Sequence, residues 1–188
     1  MKSVARIGWV GAVALCALSQ NEPVATFGTT VLDTAGFRGT IYFLDPKTGI
    51  LPDTFHRFKP KGTIYTRSLN VPTRNFREGF PGITKRFEWF AIDYQGRFWI
   101  EREGLYRFAL TSDDGSLLFI DNNLIIDNDR IHPTQTKEGQ VQLAAGAHDI
   151  RVSYFQGPRD QVALVLKVAG PGEEMRVFSM DEFRPHAD

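Results

Sequence analysis

The chain holds one cysteine in 188 residues, no excess charge of either sign, and no apolar run long enough to cross a bilayer. Each lack removes a class of protein. The single cysteine, Cys16, excludes a disulfide scaffold. Lys plus Arg and Asp plus Glu both total 22, so no basic field exists to hold a phosphate backbone, and nucleic acid is excluded as a partner. The longest apolar stretch, Ile7 to Leu18, falls short of the roughly 20 residues a spanning helix needs. Internal repeats and low-complexity tracts are also missing, which argues against a solenoid or a disordered linker protein.

What is present at the N-terminus has the layout of a signal peptide. Lys2 and Arg6 precede the apolar run, and small residues follow at Ala17 and Ser19, so cleavage after Ser19 is expected. The mature protein is then secreted, on the cell surface or in the periplasm, and has no cysteine. An uncleaved anchor is the alternative. Acylation of Cys16 would make a lipoprotein, but Leu15 stands where such signals place a small residue. Residues 20–35 read as a linker or an irregular N-terminal segment, and residues 36–188 as one folded domain of ordinary size.

The folded part reads as β throughout. Gly39 to Leu44 is a strand candidate closed by Asp45-Pro46, and residues 51–82, with four prolines, read as loops and short strands covering one end of the fold. After Arg86 come short alternating or apolar segments at 87–94, 96–100, 106–110, 117–120, 124–126, 140–143, 148–155 and 162–168, separated by turn residues. This succession predicts an all-β, antiparallel β-sandwich. The spacing of Ser179 and Glu182 suits a capping box and predicts one terminal helical turn.

Two adjacent carboxylates stand out within GLYRFALTSDDGSLLFIDNNLIID, residues 104–127. Tyr106, Phe108 and Leu110 alternate with Arg107, Ala109 and Thr111, and the run from Ser116 to Ile120 is again rich in strand formers, which predicts a hairpin. Gly115 is expected to supply a positive φ, leaving Asp113 and Asp114 exposed at the tip. Neighbouring strand residues point to opposite faces, so the pair converges only if the backbone departs from strand geometry. Carboxylates held together repel, and a shared cation resolves this. Alternatively, they close the turn by accepting bonds from nearby backbone amides.

This segment resembles the core of the anthrax protective antigen domain family, a β-sandwich module of bacterial toxins, glycosidases and yeast adhesins. Four further pieces match in order: GTIYFL (39–44), FEWFAIDYQGRFWI (87–100), LAAGAHDIRVSYF (143–155) and VALVLKV (162–168). The resemblance implies a sandwich of the protective antigen domain type. In the calcium-binding adhesins a cis peptide joins the two aspartates and both coordinate the ion, which makes Asp113 and Asp114 metal ligands here. An asparagine two residues after an aromatic completes that site. Gln156, two after Tyr154, offers the same amide oxygen on a side chain one methylene longer. The following loop contributes Arg159 and Asp160 as ligand contacts.

The function implied is a secreted or surface carbohydrate-binding module with calcium as cofactor and a glycan or cell-surface polysaccharide as partner. A structural or protein-interaction module of an envelope assembly is the alternative. Catalysis is not expected, because adjacent residues on one strand end do not place two carboxyls across a glycosidic bond at about 5 to 9.5 Å. Asp127-Asn128-Asp129 with Glu138 superficially suits a calcium loop, but His132 occupies the place of its turn glycine, so a solvated loop is expected. His132 and His148 read as surface or packing residues, and Trp89 and Trp99 as mostly core.

Overall fold

The computed structural model describes residues 26–75 and 86–185. The expected signal peptide with Cys16, and the start of the expected linker, lie outside them.

Among the described residues, eleven strands form two antiparallel sheets packed as a sandwich. They are β1 (Phe37–Phe43), β2 (Gly62–Thr66), β3 (Asn70–Asn75), β4 (Phe90–Ile100), β5 (Gly104–Asp113), β6 (Ser116–Ile120), β7 (Asn123–Asn128), β8 (Gln135–Leu143), β9 (Gly146–Gln156), β10 (Gln161–Ala169) and β11 (Arg176–Val177). The first sheet runs β2-β1-β4-β9-β6-β7 and the second β11-β10-β5-β8, with β3 pairing the same β10. The all-β sandwich expected from the alternation is therefore present.

Alternation decides which face each strand buries. On β4, Phe90, Ile92, Tyr94, Phe98 and Ile100 point inward, while Gln95, Arg97 and Trp99 point out. Phe108 and Leu110 of β5 and Leu164, Leu166 and Val168 of β10 supply the facing side. Each such side chain removed from water contributes about 1.5–3 kcal/mol, so the packed layer dominates the fold's stability. Phe27, in the irregular stretch before β1, belongs to this core; its ring stacks on Tyr154 at 5.2 Å and its carbonyl accepts the Tyr94 hydroxyl at 2.6 Å. Phe178 and Phe183 close one end, stacked at 5.0 Å.

Several sequence expectations are corrected. The segments at 87–94 and 96–100 are one unbroken strand, because Gly96 sits against Met180 and Phe37 instead of making a turn. The expected hairpin at Asp113-Asp114 does not exist: β5 and β6 lie in different sheets, so the chain crosses the sandwich there. The tight hairpin is the next one, where Asp121 and Asn122 take φ of 48° and 63° between β6 and β7. Ser179 bridges Ser68 and residues 180–182 form a turn, so the expected helical turn is not present there. Asp127 and Asn128 end β7 and Glu138 lies in β8, so only residues between them form the loop expected there. Trp99 is exposed, and His148 is held between the Asp121 carboxylate and the Ala144 carbonyl.

Candidate functional site

At the crossing, the peptide bond between Asp113 and Asp114 is cis. That geometry is the departure from strand alternation that lets adjacent carboxylates converge. Gly115 does not take the positive φ expected of it. Its lack of a side chain serves another purpose, since a Cβ there would run into the Phe155 ring and the Asp129 carboxylate. The Gly115 carbonyl instead accepts the Phe155 amide at 2.9 Å, tying the crossing to β9.

The aspartates are not exposed at a tip. Asp113 is 6% and Asp114 4% exposed, which corrects the sequence expectation. The loop from Asp129 to Thr134 folds over one side and the loop from Gly157 to Asp160 over the other. Asp114 Oδ1 accepts the His132 amide at 3.2 Å, and Oδ2 accepts the Gly157 amide at 2.8 Å. Asp113 Oδ2 accepts the Thr134 hydroxyl at 3.1 Å. No lysine or arginine forms an ion pair with either aspartate among the described residues.

Burial without a cationic partner makes ionisation costly. Desolvation pushes Asp114 up to about 6, with the charge of Asp113 adding to it and the Gly157 and His132 amides opposing. Desolvation likewise raises Asp113, against the Thr134 hydrogen bonds. The two carboxyls line a cleft of about 340 Å³ with Ile131, His132, Pro133, Pro158, Asp160 and Gln161.

The PA14 domain family model matches residues 40–178, nearly three quarters of the chain. The chain belongs to the PA14 domain family. The resemblance read from sequence to the anthrax protective antigen domain is met in this broader form. A solved PA14 sugar-binding domain from an RTX adhesin is 15% identical, with 78% of this chain and 96% of that chain covered and a TM-score of 0.64. The epithelial adhesin 9 A domain of Candida glabrata, solved with Galβ1-3GlcNAc, is 14% identical, with 83% and 92% covered and a TM-score of 0.56. An anti-sigma factor domain-containing protein is 22% identical over 80% of this chain, which spans 48% of that protein, with a TM-score of 0.63. At these identities the likeness concerns the fold. A sequence comparison with curated proteins returned no match.

Within this PA14 domain the residues singled out from sequence part company. Asp113, Asp114, Gln156 and Asp160 come together at one end of the sandwich, whereas Arg159 does not line the cleft: its amide and guanidinium bond Glu88 at 3.1 and 3.4 Å. Gln156 is fully buried, and its carboxamide is turned in a defined direction. The oxygen accepts the Tyr154 hydroxyl at 2.6 Å, and the nitrogen faces Asp114 Oδ2, the Pro158 carbonyl and the Gln161 carbonyl at 3.3, 3.1 and 3.2 Å.

The donor chemistry fits a hard cation in part. Two carboxylates and nearby carbonyls are the oxygen ligands calcium prefers. Among the described residues, however, no group of three or more His, Cys, Asp or Glu surrounds a common point, and Gln156 offers its nitrogen to Asp114. His132 and Thr134 had no sequence signal as site residues. A backbone amide can come from any residue except proline, so only the fold discloses such a contribution.

Proposed function

We propose that this PA14 domain is a secreted or cell-surface carbohydrate-binding module, and that the cleft over Asp113 and Asp114 is its sugar site. One observation carries the reading: two buried carboxyls converge at the mouth of an open cleft with no lysine or arginine paired to them among the described residues. Asp113 and Asp114 are the proposed calcium ligands. Gln156 joins them once its carboxamide turns over, which places its nitrogen on Tyr154 and its oxygen toward Asp114. Bound calcium supplies a Lewis-acidic point for vicinal hydroxyls.

The chain's own residues do the rest. Asp160 and Gln161 at the rim present polar groups to sugar hydroxyls, while exposed Ile131 supplies an apolar shoulder. Arg159, tied to Glu88, props the rim. The proposed partner is a glycan or surface polysaccharide, bound without catalysis. The sugar complex of the Candida glabrata adhesin domain supports galactosides as first candidates.

A second reading rests on Asp114, whose two oxygens already accept two backbone amides and the Gln156 nitrogen. In that case the pair only fastens loops, and the domain is a structural or protein-interaction module. Thermal unfolding with and without calcium separates the two. A cation bound to the native state alone raises the melting temperature by mass action, and Asp113→Ala removes the increment. A melting temperature indifferent to millimolar calcium favours the structural module.

A further inference from the structure

The outer face of the six-stranded sheet carries a second cleft that shares no lining residue with the one over the aspartate pair. Its floor follows from strand register. Asp93 stands opposite Ser153, and Gln95 opposite Arg151, which is itself opposite Phe119. Alternation turns all of these away from the core.

Asp93 is 4% exposed on this outer face because neighbours enclose it. Its Oδ1 accepts Arg151 Nε at 2.7 Å and Ser153 Oγ at 2.7 Å, and its Oδ2 accepts Gln95 Nε2 at 2.9 Å. A buried carboxylate thus fixes a guanidinium that is itself a third exposed, at 34%. The two terminal nitrogens of Arg151 have no hydrogen-bond partner among the described residues. The guanidinium carbon lies 6.0 Å from the Phe55 ring and 5.4 Å from the Phe119 ring, so aromatic faces hold it further.

One wall is the loop before β2, anchored on the sheet by Leu51 and Phe55 in a small apolar cluster with Ala91 and Phe155. Tyr42 and Phe55 stack there at 4.6 Å. Beyond Phe55 this loop reads His56, Arg57, Phe58, Lys59, Pro60, Lys61, preceded by Asp53, while Asp93 and Asp149 are the carboxylates that line the cleft itself. No ion pair among the described residues engages Arg57, Lys59 or Lys61. The space divides around Arg151 into parts of about 380 and 360 Å³, the second reaching Asn122 and Asp149.

We propose that this cleft is a second binding site, which takes a carboxylate-bearing sugar unit of an acidic polysaccharide, with Arg151 as the fork that receives the carboxylate. A guanidinium with its two terminal nitrogens free matches a carboxylate in bidentate fashion. Arg57, Lys59 and Lys61 stand on the wall loop without lining the cleft, and their charge favours an anionic ligand at longer range against Asp149 at its far end. The carboxamides of Gln95 and Asn122 and the hydroxyls of Tyr42 and Thr54 suit a polyhydroxylated ring better than an acidic peptide, whose backbone would need an open strand edge. Asp93 is a positioning residue.

The test is calorimetric titration of the full chain with a galacturonic acid oligomer, the matching neutral galactose oligomer and poly-glutamate. EDTA is present throughout, so that calcium plays no part and the result is independent of the aspartate site. The expected result is saturable binding of the galacturonate, with the neutral oligomer and poly-glutamate at least about tenfold weaker. Arg151→Lys keeps a cation beside Asp93 but loses the fork, and should weaken binding about tenfold while the circular dichroism spectrum is unchanged. Should that variant fail to fold, the exposed pair Arg57→Gln with Lys59→Gln serves instead, with weaker binding and a shallower salt dependence expected. Equal or tighter binding of poly-glutamate overturns the sugar assignment. Absence of saturable galacturonate binding, or binding indifferent to the substitutions, overturns the site.

Discussion

The carboxamide nitrogen of Gln156 lies 3.3 Å from Asp114 Oδ2, and its oxygen accepts the Tyr154 hydroxyl at 2.6 Å. Gln156 therefore serves as a neutral donor to a buried carboxylate. Gln156→Glu replaces that donor with a third carboxylate in the same enclosed space. Without calcium, the variant should lose stability on the order of 3 kcal/mol, the cost of an uncompensated buried charge. With calcium, its melting temperature should rise by more than the wild-type increment. Paired thermal melts check both, and equal calcium responses would remove Gln156 from the site.

Asp114 makes the domain's stability and its cation affinity depend on pH in opposite ways. Its folded value, about 6, lies above the ordinary 3.8, so between these values the native state holds a proton that the unfolded chain has lost. This group's contribution to stability is thus full below about 4 and declines as pH rises through about 6. The difference in melting temperature between wild type and Asp114→Asn, followed from pH 4 to 7 without calcium, should shift against the wild type as pH rises. Calcium needs the carboxylate, so calorimetric affinity should fall below about pH 6.

Gly115→Ala tests the packing beneath the site. The new methyl would meet the Phe155 ring and the Asp129 carboxylate, which itself accepts the Leu51 amide at 3.0 Å. Overpacking of this kind costs about 1–3 kcal/mol, and urea unfolding should show it as a lower midpoint with unchanged slope. A positive-φ role predicts strain without this clash, and the φ of Gly115 is outside that region.

Much of the fold is legible in the sequence because buried and exposed residues alternate over one half of β4, β5 and β9, while the other half of each is an apolar-rich run buried on both faces. Pairing is not legible in the same way. The pattern around Asp113-Asp114 is the same whether β5 and β6 form a hairpin or cross between sheets, and only the pairing of β6 with β9 decides it. β3 was hidden by Pro72 and by polar Asn70, Thr73 and Arg74, residues tolerated because among the described residues the strand pairs β10 alone. The site was half legible: its carboxylates announce themselves as residue types, but the loop amides of His132 and Gly157 do not. Arg151 and Asp93 lie within the matching pieces 143–155 and 87–100, yet nothing in those strings pairs them; only the register between β4 and β9 brings them together.

Binding of a galactoside such as Galβ1-3GlcNAc, measured by calorimetry in calcium and again in EDTA, decides whether Asp113 and Asp114 hold a calcium-dependent sugar site. Saturable binding is expected in calcium, lost in EDTA and lost in Asp113→Asn and Asp114→Asn chains that remain folded. Undiminished galactoside binding in EDTA and in both variants would contradict such a site.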